Sequence, residues 1–218
     1  MALSYQLIRS DRRTLSLAVN RQGALVVRAP RRMAVVDIER FVNQKQAWIL
    51  KKQETAHQWA HAPLCMESGA SFPYLGGTLE IRLCEVTLPT HASGLLFLPQ
   101  NDAEASLRAW RRQQADQVLR PLVAKWSGVI GLSPTSITYT RAKQRWGSMS
   151  TLGALRLNEA LVHLPMALID YVVVHELSHR VYPNHSPAFH AYVRRILPNA
   201  DALRAQIHTM AYVTTLLP

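Results

Sequence analysis

The string His175-Glu176-Leu177-Ser178-His179, with His185 six residues further on, constrains this chain more than any other feature. It brings three imidazoles and a carboxylate to one place only if 175–179 is helical. Helix positions four apart lie about 40° apart around the axis, so His175 and His179 can aim nitrogens at a single metal ion. Glu176, about 100° further round, is out of line with the two His and can act on a water molecule instead of ligating the ion. The helix must then end before the third ligand. Tyr182-Pro183-Asn184 follows at once: the residue before a proline is biased out of the helical region, and Asn tolerates a left-handed conformation, so the chain can turn back to bring in His185. Ser186 and Pro187 then read as the N-cap and first residue of the next helix. A buried helix with two hydrogen-bonded His would also fit the pentapeptide alone. The apolar run Tyr171 to Val174, the turn and the third His favour a hydrolytic zinc site.

The length, 218 residues, allows one domain or two small ones, and 48% hydrophobic residues suffice for a core. Met1 to Leu15 has charges and no apolar core, and no apolar run approaches the length of a membrane span. The expectation is a soluble, cytoplasmic protein with no membrane partner. Two cysteines, Cys65 and Cys84, are too few for a disulfide framework and lack metal-ligand spacing, so they read as reduced and structural.

The charge is lopsided: 25 Lys and Arg face 14 Asp and Glu, for a formal net charge of +11. From Gln117 to Asn158 there is no acidic residue, whereas Arg120, Lys125, Arg141, Lys143, Arg145 and Arg156 fall in that window. Such a field attracts polyanions, and nucleic acid is a candidate partner. Arg-rich surfaces also occur in proteins that bind none.

Alternating segments at Ser4 to Ile8, Thr14 to Val19 and Ala24 to Arg28 predict a hairpin-like β unit closed by Pro30, and Ala34 to His57 predicts one long amphipathic helix. Phe72 to Gly77 reads as a strand and tight turn; Thr78 to Val86 and Gly94 to Leu98 complete a small antiparallel sheet, with Thr87 to Ser93 as loop. Asp102 is expected to N-cap a helix running to about Ser127, which Pro121 can kink or split. Strands at Ile137 to Arg141 and Ala154 to Asn158 flank a loop, Lys143 to Gly153. Helices follow at Pro165 to Val181, Pro187 to Ile196 and about Ala200 to Thr214. The fold class is α+β: a β-rich N-terminal domain over 1–100 with the long amphipathic helix, and a mainly helical metal-bearing domain with a small sheet over 101–218.

These residues resemble the YgjP-like metallopeptidase family, related in its motif to SprT-like and WLM zinc proteases. The resemblance runs from Arg12-Arg13-Thr14-Leu15-Ser16 and Arg28-Ala29-Pro30 through Phe72-Pro73-Tyr74-Leu75-Gly76 and Arg145-Trp146-Gly147-Ser148 to Leu157-Asn158, the Tyr171 to His179 segment and Asn184-His185-Ser186 with Phe189. It implies a zincin-like C-terminal domain, Zn(2+) as cofactor, His175, His179 and His185 as ligands, Glu176 as the catalytic residue, and a peptide or protein substrate. Some positions depart from the family's usual residues: Met149 replaces Cys, His190 replaces Trp, and Glu159-Ala160 replaces Trp-Arg. None of these is a ligand. Metzincins have Gly where this chain has Tyr182, which excludes that group.

The mechanism implied is metal-assisted hydrolysis with Glu176 moving the proton. Several helpers have two readings each. Tyr182 can donate its hydroxyl to an oxyanion or simply pack; Ser148 and Arg145 can touch substrate; Asn158 can orient a ligand His or cap a turn; Trp146 anchors its loop and Gly147 permits close backbone approach. Met210 reads as core filler. A zinc metallopeptidase is the leading function, with recruitment to nucleic acid through the basic surface. The alternative is a zinc hydrolase of a small anionic substrate such as a nucleotide, which convergence of the Arg141 to Arg145 cluster on the metal would favour.

Overall fold

The structure is a computed structural model that describes residues 4–19, 23–50, 53, 66–210 and 213–214. Its backbone contacts divide the chain into two compact units, Met1–Ala62 and Pro63–Pro218.

In the first unit, β3 (Leu25–Pro30) lies between β1 (Tyr5–Ser10) and β2 (Ser16–Val19). β2 pairs antiparallel with β3 as a hairpin should, whereas β1 runs parallel to β3. The central strand is the most buried, because both its edges are paired and Leu25, Val27 and Ala29 form a core with Ile38, Val42 and Ile49. Ile38 and Val42, four apart, are the buried face of helix α1 (Val35–Gln44). The long helix expected to His57 is broken at Lys45, which leaves helical geometry at φ −101°, ψ 10° before residues 46–50 resume it. His57 lies outside the described residues, as does Cys65; Cys84 is a free thiol.

The second unit opens with a four-stranded sheet in the order β4 (Ser71–Tyr74), β5 (Gly77–Cys84), β7 (Leu95–Pro99), β6 (Thr90–Ala92). It is mixed, not antiparallel, because β5 and β7 run parallel; β6 occupies what read as loop and supplies the antiparallel return. The two-residue turn from β4 to β5 puts both central residues at positive φ, Leu75 at 49° and Gly76 at 87°. Leu75 is held there by its N–H donating to the Val162 carbonyl at 2.8 Å, and Gly76 lies against Pro165, where a β-carbon would meet Pro165 Cα at 3.1 Å. The hairpin tip is thus docked at the N-terminus of the helix that Pro165 precedes.

Helix α2 (Ala103–Ile130) is the spine of this unit. At 1.5 Å rise per residue its length is about 42 Å. Its N-terminal half packs Leu107 and Trp110 on the sheet residues Phe72, Ile81, Leu96 and Leu98. The turns that follow pack Ala115, Leu119, Val123 and Trp126 into the main core. A boundary near residue 100 therefore falls inside one compact unit, between a sheet and the helix that covers it. Pro121 is accommodated without ending the helix, which stops at Gly131 in the left-handed conformation, φ 77°. Asp102 occupies the N-cap position without a side-chain capping bond.

The remaining sheet holds β10 (Ala154–Asn158) between β8 (Ser136–Thr140), parallel to it, and β9 (Gly147–Met149), antiparallel to it. β9 lies in what read as a continuous loop. Its three residues are too few for alternation to register. Helix α3 (Met166–Ser178) carries the motif, with Tyr171, Val172, Val173 and Val174 all buried, and packs on α2, on β9 and on α5 (Ala200–Thr209). Trp126 Nε1 donates to Asp170 Oδ1 at 2.6 Å, tying α2 to α3. The architecture is mixed α and β, as expected from sequence. No helix among the described residues is long and apolar enough to cross a membrane.

Candidate metal and catalytic site

Helix α3 ends at Ser178, and His179 is its C-cap. The chain then turns tightly, the N–H groups of Val181 and Tyr182 both donating to the Ser178 carbonyl at 3.0 Å. Asn184 is not in the left-handed conformation: among the described residues only Leu75 and Ser93 have positive φ without being Gly. Pro183 and these hydrogen bonds make the reversal. Ser186 then caps helix α4 (Pro187–Ile196), accepting from the Phe189 N–H at 3.3 Å, with Pro187 in the first turn.

This turn brings His185 back to His175, with their Nε2 atoms 3.0 Å apart. One ligand atom from each of His175, His179 and His185 lies within 4.8 Å of the others, and among the described residues this is the group of His, Cys, Asp or Glu able to hold a metal ion. The Nδ1 of His179 faces the Tyr182 carbonyl at 3.1 Å; donating there fixes the ring and leaves Nε2 as the free lone pair. Phe189, fully buried, packs against all three imidazoles, stacked on His179 at 4.7 Å between centroids and edge-on to His175 at 4.9 Å and His185 at 5.0 Å. Burial, helped by the neighbouring imidazoles, pushes His175 down to about 3, and burial also lowers His179. Neutral imidazole is the form that ligates a metal, so the donor set suits a divalent ion such as zinc.

Glu176 is buried beside β9. Burial pushes its carboxyl up to about 7, opposed by the Arg145 charge and by a hydrogen bond from the Met149 N–H. A carboxyl in that range can both take and return a proton near neutral pH. His175 and Glu176 open into a cavity of about 460 Å³. Its wall includes Gln144, Arg145, Trp146 and Gly147 ahead of and within β9, and Arg204, Ile207 and His208 on α5.

The helper residues expected from sequence separate here. Arg145 lines the cavity, whereas Arg141 and Lys143 do not. Asn158 is buried and contacts no ligand His: its Nδ2 donates to the carbonyls of Ala142 at 2.7 Å and Arg145 at 2.9 Å, and its Oδ1 accepts from the Ala160 N–H at 2.9 Å. It tethers the loop that carries Arg145 and caps the 3-10 helix Glu159–His163. Ser148 pairs with Arg156 across the sheet and is not part of the cavity wall. The Tyr182 ring stands edge-on to Tyr192 at 5.5 Å, a packing role, while its carbonyl receives His179. His190, Arg204 and His208 were not foreseen. The i, i+3, i+4 spacing of Arg204, Ile207 and His208 marks one helix face, yet nothing local says that this face meets the metal site.

The family described as YgjP-like, metallopeptidase domain, matches residues 13–210. No curated protein matches. Among solved structures, the metallopeptidase zymogen abylysin of Pyrococcus abyssi is 21% identical over 43% of this chain and 94% of its own, with a TM-score of 0.40. The jannalysin zymogen of Methanocaldococcus jannaschii is 23% identical over 42% of this chain and 95% of its own, with a TM-score of 0.37.

Proposed function

This chain belongs to the YgjP-like metallopeptidase family, and on that premise we propose that it hydrolyses peptide bonds with a zinc ion held by His175, His179 and His185 and with Glu176 as general base. The observation that carries this reading is the convergence of three imidazole nitrogens within 4.8 Å of one another, from α3, its C-cap and the turn that follows, beside a buried carboxyl of raised pKa on α3. When bound, the ion supplies a Lewis acid that acidifies water and polarises a carbonyl oxygen. The chain's own groups do the rest. Burial keeps His175 and His179 neutral, and the Tyr182 carbonyl and Phe189 hold the His179 ring in place. Glu176 takes a proton from water at neutral pH and can return it to the leaving amine. The Met149 N–H and Arg145 stabilise its ionised form.

Zinc is favoured over other divalent ions because the donors are three imidazoles without thiolate and the reaction needs no redox change. Recruitment to nucleic acid has only the net charge of +11 in its support. Two cations of the acid-free window are already committed, Arg120 to Asp116 at 2.7 Å and Lys125 to Asp170 at 3.7 Å. The anionic-substrate reading is supported by the position of Arg145 in the cavity wall, which Arg204 shares.

Glu176→Gln tests the mechanism, because it keeps size and helix propensity and removes the base. On a mixed library of unfolded protein and peptides, turnover should fall on the order of 10²–10⁴-fold with metal content unchanged. Undiminished turnover would overturn the assignment, and loss of metal would make Glu176 a ligand instead.

A further inference from the structure

Two guanidinium groups enter the wall of the cavity from different parts of the chain, one just ahead of β9 and one on α5, and β9 and α5 both pack on α3. Arg145 comes from the segment ahead of β9, and Arg204 from α5, on the face it shares with Ile207 and His208. Neither has a side-chain hydrogen bond or ion pair among the described residues. The nearest carboxylate in sequence to Arg204, Asp201, is taken by Arg194 at 3.2 Å. Among the described residues the only carboxyl lining the cavity is Glu176. Arg145 acts electrostatically on Glu176, and Arg204 on Tyr171, His175 and His190, so both charges are felt at the floor. Four other arginines of the second unit are engaged by carboxylates: Arg108 pairs with Glu104, Arg120 with Asp116, and Arg111 and Arg112 with Glu159.

We propose that Arg145 and Arg204 make this a carboxylate-recognising cavity, so that the preferred substrate is a peptide with an anionic group, an Asp or Glu side chain or a free C-terminal carboxylate, next to the scissile bond. A guanidinium presents paired donors in a plane that matches a carboxylate, and a charge-assisted hydrogen bond is stronger where a cavity limits water. The net charge of +11 adds steering toward acidic chains. Arg145 and Arg204 are specificity-determining residues in this assignment. It rests on the peptidase reading and narrows it to a substrate class.

The test uses twin peptides that differ only as Glu against Gln at positions flanking the cleaved bond, and as free acid against amide at the C-terminus. Binding is measured by calorimetry to the metal-loaded Glu176→Gln protein, and cleavage by the unaltered enzyme. The acidic twin should bind on the order of 10-fold tighter or more, the size of a charge-assisted hydrogen bond. The two pairs tell side chain from terminus. Arg145→Gln or Arg204→Gln, added to Glu176→Gln, should bring the ratio toward one, and Arg204→Lys should restore part of it. Equal affinity of the twins overturns the proposal. So does a preference that survives both Gln substitutions, which would assign it to the ion. Binding of a nucleoside triphosphate with none of the acidic peptides replaces the carboxylate with phosphate and overturns it too. Cleavage of both twins at the same rate leaves the peptidase reading intact while this one fails; no cleavage and no binding of any peptide removes both.

Discussion

Gly147 lies so close to Glu176 that a β-carbon on it would stand 2.8 Å from Glu176 Cγ and 3.0 Å from both Cδ and Oε1. Gly147 is not among the positive-φ glycines, so what its position demands is space and not backbone freedom. Glu176 cannot swing away cheaply, because it is buried and receives the Met149 N–H from the same strand.

Gly147→Ala should therefore displace the carboxyl or push β9 outward. The expected cost in stability is about 1–3 kcal/mol, the range for overpacking a filled site. Turnover should fall much more than metal content, because the three atoms nearest a β-carbon on Gly147 all belong to Glu176 and none to an imidazole. Denaturant unfolding, metal analysis and peptide turnover on the same preparation decide it. Unchanged turnover would show that Glu176 has room the structure denies it.

The second expectation concerns the ion. Protein purified without added metal should carry one divalent ion per chain, with zinc predominant. His179→Ala should weaken it by more than the roughly 10–100-fold that loss of an outer partner costs. Elemental analysis after dialysis against a graded chelator reads this. Equal retention in the two proteins would sink the triad.

The third is a pH dependence away from the catalytic site. His163 is buried, donates Nδ1–H to the Pro73 carbonyl at 2.8 Å and leaves Nε2 without a partner among the described residues. The Phe72 ring stands edge-on at 4.9 Å, and Arg111 adds a like charge. Burial above all pushes its pKa down to about 4. The fold binds the neutral form, so the unfolded chain takes up more protons between about pH 6.5 and 4. Stability from this group is present above 6.5 and lost as pH falls toward 4, by about 3 kcal/mol. His175 and His179 add slope of the same sign. Urea unfolding at pH 7 and pH 4, compared with His163→Gln, isolates His163: the variant should lose less on acidification. Parallel curves would contradict its burial as a neutral group.

The convergence of the three imidazoles was legible because each part is local. Helical spacing places His175 and His179 together, Pro183 forbids the helix to run on, and Ser186 with Pro187 starts the next one, which leaves His185 a short return path. The mixed α and β composition followed from periodicity for the same reason. Strand direction did not. β1 runs parallel to β3 and β5 parallel to β7, and alternation is blind to direction.

What the sequence alone determined is that His175, Glu176 and His179 share one helix end with a short return path to His185. Only the tertiary structure decided what faces them: the three-residue β9 against Glu176, the Asn158 tether that holds the Arg145 loop, and the α5 face that brings Arg204 to the cavity. The physical reason is range. Hydrogen bonds within a helix and steric limits at proline act over a few residues and leave a readable pattern. Which surface covers a given face is set by how α2, α3 and α5 share a core assembled from residues far apart in the chain.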